Sequence, residues 1–153
     1  MSIKQRVFTS DSKFLKIAED ESKKSTCLSK KVGAVICLNE EILSSGHNDT
    51  FSDLKCGEGG CVRCKQRFLG ILASGEKRRE CKCLHAEFIA IRNASTHDID
   101  LTGASMYVSI PPCKECAIAI HQARMKRVIS KKPSHIGKGI EILKRMNIDV
   151  LLI

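Results

Sequence analysis

The sequence predicts an α/β protein in three layers, a central sheet sandwiched between helices. Two observations carry that expectation. Short apolar runs of strand composition alternate with amphipathic segments in the order αββ–αβαβαβ, the pattern of layered α/β folds. The 153 residues show no internal repeat or low-complexity tract, so one domain around one core is expected.

DSKFLKIAEDESKK (11–24) places Phe14, Leu15, Ile17 and Ala18 on one side of a helix, with Asp11 positioned to cap it. VGAVICL (32–38) and EILSSG (41–46) read as strands paired through a short turn at Asn39-Glu40. From His47 to Lys82 no periodicity is sustained, because Gly57, Gly59, Gly60 and Gly75 break it and the charge run EKRRE closes it. A loop that long inside a compact domain is expected to be functional or cross-linked. Its cysteines supply the cross-linker. HAEFIAIRNAS (85–95) reads as a helix with Phe88, Ile89, Ile91 and Ala94 apolar. ASMYVSI (104–110) is a strand, and PPCKECAIAIHQAR (111–124) a helix opened by proline, where a missing N–H costs nothing. KRVIS (126–130), IGKGIEILKRM (136–146) and IDVLLI (148–153) then give strand, helix and strand.

Composition narrows the function classes. Apolar content of 42% with 28% charged residues is ordinary for a soluble globular chain. No run approaches the ~18 apolar residues of a membrane span, and MSIKQRVFTSDSKF at the N-terminus lacks the apolar stretch of a secretory signal. A cytoplasmic, reducing location is therefore expected, with no membrane partner. The net charge of +9 draws in phosphate, on a nucleotide or on a polymer. Five Phe, one Tyr and no Trp leave little on which to stack single-stranded bases, so a nucleic-acid partner is the lesser expectation. In a reducing location, cysteines in C-x-x-C and C-x-C spacings point to metal rather than disulfides, and nine cannot all pair within one chain. Cys37, inside VGAVIC, reads instead as a small buried hydrophobe.

The chemistry sits in His85-Ala86-Glu87 and Pro112-Cys113-Lys114-Glu115-Cys116. Each alone is weak evidence. Jointly they form H-x-E…P-C-x-x-C, the pattern of zinc-dependent nucleobase deaminases. Catalytic zinc takes three protein ligands and keeps a fourth position open for water. His85, Cys113 and Cys116 supply the three, each near a helix start whose exposed N–H groups and positive dipole end favour thiolates. Glu87 follows His85 by two residues, so it can overhang the open position and move a proton to the ring and the leaving amine. A fourth protein ligand would make the site structural and leave Glu87 without a task.

From about residue 12 onward the chain resembles the deoxycytidylate deaminase family, within the cytidine deaminase-like superfamily. STCLSKKVGAVI (25–36), SGHN (45–48), CGEGGCVRC (56–64), CKCLHAE (81–87), LTGASMYVSIPPCKEC (101–116) and MKRVI (125–129) occur in that family's order. GGC-x-R-C and C-x-C before HAE are most similar to fungal-type and some bacterial members. The resemblance implies a three-layer fold with a five-stranded mixed sheet and one CMP/dCMP-type deaminase domain over residues 1–153, with a Cys-rich zinc-binding loop at about 47–84. It implies hydrolytic conversion of dCMP to dUMP with release of ammonia, and a homo-oligomer, commonly a hexamer. It also implies that Asn48 holds the substrate's sugar and base, with Ala86 and Pro112 contacting substrate beside the motif.

Three departures bear on the substrate. The family's G-Y-N-G is here Gly46-His47-Asn48-Asp49, which speaks against the dCTP control linked with that stretch and sets a negative charge near an incoming phosphate. HAE is followed by Phe88-Ile89-Ala90 without the usual Asn. The basic residue that meets the 5′-phosphate falls at about Thr96; Arg92, one turn earlier on the same face, or the adjacent His97 is expected to substitute. Arg124 stands where relatives often carry Gly. The same motif also serves deaminases of free nucleosides, dCTP, modified cytosine nucleotides, tRNA or single-stranded DNA, and it survives in inactive zinc-binding modules.

Cys81 and Cys83 lie just upstream of His85 but are excluded from its ion, since a further ligand would displace water. With Cys61 and Cys64 they would fill one tetrahedral site. Relatives with a second zinc draw ligands from positions matching Cys27 and Cys56. Six cysteines exceed one site's need, so either two remain free or a second, thiolate-bridged ion is present. Zinc is thus expected at one catalytic site and at least one structural site.

Overall fold

A computed structural model describes residues 8–51 and 53–153. Residues 1–7, which carry half of the N-terminal stretch read above, lie outside the described residues. Helix α1 (Asp11–Ser22) precedes a hairpin of β1 (Gly33–Leu38) and β2 (Glu41–His47). Strand β3 (Asp49–Thr50), helix α2 (Val62–Phe68) and strand β4 (Cys83–Leu84) follow. The chain then alternates through α3 (Ala86–Thr96), β5 (Ser105–Val108), α4 (Lys114–Gln122), β6 (Arg127–Ser130), α5 (Lys138–Arg145) and β7 (Asp149–Leu152).

The main sheet has five strands in the order β2-β1-β5-β6-β7. β1 runs antiparallel to β2 and β5, whereas β5, β6 and β7 are parallel. This is the mixed sheet that the resemblance implies. Side chains alternate across it. Val35, Cys37, Tyr107, Ile129 and Leu151 pack with Phe14, Leu15 and Ala18 of α1. Ala34, Ile36, Met106, Val108, Val128 and Val150 pack with α3, α4 and α5. Burial on both faces is why the strands read as continuous apolar runs. Asn39 and Glu40 both hold positive φ, 50° and 64°, as a two-residue hairpin turn matched to strand twist requires.

Four local features differ from the sequence expectations or go beyond them. Ser10, not Asp11, occupies the cap position of α1. Asp11 is fully buried, 3.0 Å from the Arg127 guanidinium, and accepts the Tyr107 hydroxyl at 2.9 Å. It ties α1 to the sheet. Next, α3 buries Ala86, Ala90 and Ala94, while Phe88 is 43% exposed. The cause is close approach: a Cβ on Gly46 of β2 would lie 2.6 Å from the Ala90 nitrogen and 2.8 Å from the Ala86 oxygen, so only small side chains fit this seam. Third, Pro112 precedes the cap residue Cys113 and does not occupy the first turn of α4. Finally, the segment read as lacking sustained periodicity holds α2 and β3, which pairs with β4 just beyond it; these elements are too short to register as periodicity. Among the described residues no helix is long and apolar enough to cross a membrane.

Candidate metal centres and active site

Two helix starts meet at one point. His85 is the cap residue of α3, Cys113 is the cap residue of α4, and Cys116 lies in the first turn of α4. The start of α5 fixes the Cys113 turn, since a Cβ on Gly139 would come within 2.0 Å of the Pro112 oxygen. The sulfurs of Cys113 and Cys116 lie 3.4 and 3.3 Å from His85 Nδ1. Sulfur and nitrogen ligands on a tetrahedral zinc sit about 3.5 Å apart at ordinary bond lengths. The three donors therefore fit one zinc ion.

The electrostatics of the group match that use. A hydrogen bond from Cys116, with His85 nearby, holds the Cys113 thiol down to about 3, and the Cys113 sulfur in turn pushes His85 up to about 9. Glu87 is buried in the first turn of α3, and burial pushes its carboxyl up. A carboxyl raised towards working pH can both take and return a proton.

These groups open into a cavity of about 390 Å³ lined by His85, Ala86, Glu87, Cys113 and Asn48, within the size range of small-ligand sites. Asn48 donates from Nδ2 to the Lys30 carbonyl at 2.6 Å and accepts from the Val32 N–H at Oδ1, 2.7 Å. One N–H and one lone pair of its amide remain for a ligand. Ser29, Lys30, Arg63 and Arg78 line the same cavity, and among the described residues none of these three cations is ion-paired. Arg63 is buried, with Nε donating to the Glu76 carbonyl at 3.1 Å. The sequence reading missed these cations; the Arg63 position between Cys61 and Cys64 was the available signal.

Arg92 and Pro112 do not line the cavity. Arg92 is exposed and stacks over Phe51 at 4.2 Å, so its side chain is directed to the surface ring. Pro111 takes the lining position beside Cys113. Asp49 does not meet an incoming phosphate either. Burial alone would raise its carboxyl, yet the amides of Cys56, Thr26 and Thr50 hold it at about 2. Arg124 has φ of 60°, the left-handed conformation that glycine adopts most readily.

The remaining six clustered cysteines converge. Cys27, Cys56, Cys64 and Cys83 form one candidate metal group, and Cys61, Cys64, Cys81 and Cys83 another. Cys27, Cys64, Cys81 and Cys83 also line the cavity.

A His-Cys-Cys donor set at paired helix starts beside a mixed sheet is that of a metal-binding α/β domain. Residues 8–132 match the model of the cytidine and deoxycytidylate deaminase zinc-binding region, and the chain belongs to that family. A deoxycytidylate deaminase of Schizosaccharomyces pombe is 32% identical over 120 residues, covering 78% of this chain and 36% of its own length. One from Mycobacterium phage D29 is 32% identical over 130 residues, covering 81% of this chain and 95% of its own. The chain thus spans little more than a third of the yeast relative. The dCMP deaminase from the cyanophage S-TIM5, in complex with dCMP and dUMP, superposes with a TM-score of 0.76 at 25% identity, over 97% of this chain and 100% of that one.

Proposed function

We propose that the chain is a zinc-dependent hydrolase of cytosine nucleotides, converting dCMP to dUMP with release of ammonia. The carrying observation is a buried carboxylate, Glu87, sharing one cavity with His85, Cys113 and the cations Lys30, Arg63 and Arg78. The S-TIM5 relative, a dCMP deaminase with dCMP and dUMP bound, supports the choice of substrate.

His85, Cys113 and Cys116 hold the catalytic zinc. When bound there, the ion supplies a Lewis acid that makes water nucleophilic near neutral pH. Glu87 accepts one proton from water and passes it to N3 of cytosine, then takes the remaining proton from the new C4 hydroxyl and delivers it to the departing amine. A C4–O bond forms, the C4–N bond breaks, and ammonia leaves. Burial of Glu87 keeps its proton available between those steps. Ala86 and Asn48 contact base and sugar, and Lys30, Arg63 and Arg78 meet the 5′-phosphate. The loop cysteines hold at least one further zinc. The domain over 1–153 works in a reducing cytoplasm as a homo-oligomer, a hexamer on the family pattern. Phe51, Phe68, Leu69 and Ile71, each more than half exposed, supply apolar surface for assembly.

Zinc-loaded protein given dCMP, CMP, deoxycytidine, dCTP and a short cytosine-bearing oligonucleotide tests this by ammonia release. The highest kcat/KM is expected for dCMP. Preference for another substrate would overturn the substrate assignment, and inertness towards all five would overturn the enzyme assignment.

A further inference from the structure

We infer that the loop cysteines hold two metal ions, bridged by the thiolates of Cys64 and Cys83, so that the chain carries three zinc ions in all. This rests on the reading of the loop as a structural zinc site and goes beyond it in number and connectivity. The two candidate groups together use all six cysteines and share two of them, Cys64 and Cys83. Zinc–sulfur bonds of ~2.3 Å place ligand sulfurs about 3.8 Å apart along a tetrahedron edge. In the first group the Cys27–Cys64, Cys27–Cys83 and Cys64–Cys83 sulfurs are 3.9, 3.8 and 3.9 Å apart. In the second, Cys64–Cys81 and Cys61–Cys81 are 3.7 and 4.0 Å apart. The Cys64–Cys83 edge is common to both tetrahedra. None of these separations approaches the ~2.05 Å of a disulfide.

Charge and packing favour the second ion. One ion on four thiolates carries a net −2. Adding a divalent ion while ionising the two remaining thiols leaves that charge unchanged, so the second site costs no extra buried charge. Each ion binds as the thiols release their protons, with no change in oxidation state. Backbone amides already point at the sulfurs, with the Lys82 N–H 3.3 Å from Cys61, and the cations Lys30, Arg63 and Arg78 lie around the same cavity. The loop has little else to fold around. Phe51, Leu54, Val62, Phe68, Leu69 and Ile71 are exposed, whereas Cys56, Cys61 and Cys64 are completely buried. Zinc suits an all-thiolate tetrahedral set.

The cluster also forms part of the wall of the substrate cavity, so the loop metals position Arg63 and Arg78. Native mass spectrometry and elemental analysis of the reduced, zinc-loaded full chain test the inference. Three zinc ions per chain are expected. After exchange with cadmium, two of three cadmium resonances should show mutual coupling through the shared sulfurs. Cys64→Ser should lose both loop ions and Cys56→Ser one. Two zinc ions per chain with two freely titrating thiols, or uncoupled cadmium resonances, would overturn the bridged pair while leaving a structural zinc in place. A single zinc per chain would overturn the structural zinc reading as well.

Discussion

At the scale of single residues, the His85, Cys113 and Cys116 set and Glu87 are legible because each stands at a fixed offset from a helix start. That offset survives in sequence as H-x-E and P-C-x-x-C. The side of the cavity proposed to meet phosphate was not legible in the same way. Arg92 was the expected contact because it shares a face with the family's basic position, yet it stacks on Phe51. Lys30, Arg63 and Arg78 come from three separate segments of the chain, Arg63 from the short helix α2, and meet only in the fold. Asp49 read as a stray negative charge, while in the fold it collects N–H groups from Thr26, Thr50 and Cys56. Arg78→Ala is expected to raise KM for dCMP about tenfold, the loss of one charge-assisted contact, and to leave deoxycytidine turnover unchanged. Equal effects on both substrates, measured as kcat/KM, would remove Arg78 from the phosphate site.

At the scale of elements, the main strands and helices were legible from composition and period, and what the sequence did not reveal was which face α3 buries. Large apolar side chains usually mark a core face, but here Ala86, Ala90 and Ala94 do. Gly46 brings β2 so close that nothing larger fits. This seam sets where His85 and Glu87 stand. Gly46→Ala is therefore expected to cost about 1–3 kcal/mol through overpacking and to loosen zinc at the His85 site. Urea denaturation and zinc content check it; unchanged values for both would contradict the role given to the seam. The cysteine-rich loop, proposed above to hold metal, is expected to have a stability of its own. Chelation of its ions should expose amides of residues 53–82 to hydrogen exchange while β1, β5 and β6 stay protected. An unchanged loop after complete metal removal would show that the metals do not hold it.

At the scale of the whole molecule, one sheet carries a helix on one face and three on the other, and a buried ion pair joins the layers. Burial opposes the charge on Asp11, but the Arg127, Phe8 and Tyr107 hydrogen bonds win, so its pKa lies below the usual value. A lowered carboxyl contributes stability that is complete above its unfolded pKa of ~3.9 and disappears as pH falls through the lower folded value. Asp11→Asn should lose about 3 kcal/mol at neutral pH. Its deficit against the wild type should stay constant above about pH 5 and shrink below about pH 4, read from denaturation midpoints. A pH-independent deficit would mean that the charge is not what matters. The central claim is hydrolysis at C4 driven by Glu87 beside a His-Cys-Cys zinc. Its most direct measurement is the rate of ammonia release from dCMP by the wild type and by Glu87→Ala at equal, verified zinc content. The wild type should turn dCMP over, and the variant should keep its zinc while losing at least ~10²-fold in kcat. Normal turnover by Glu87→Ala, or none by the zinc-loaded wild type, would contradict it.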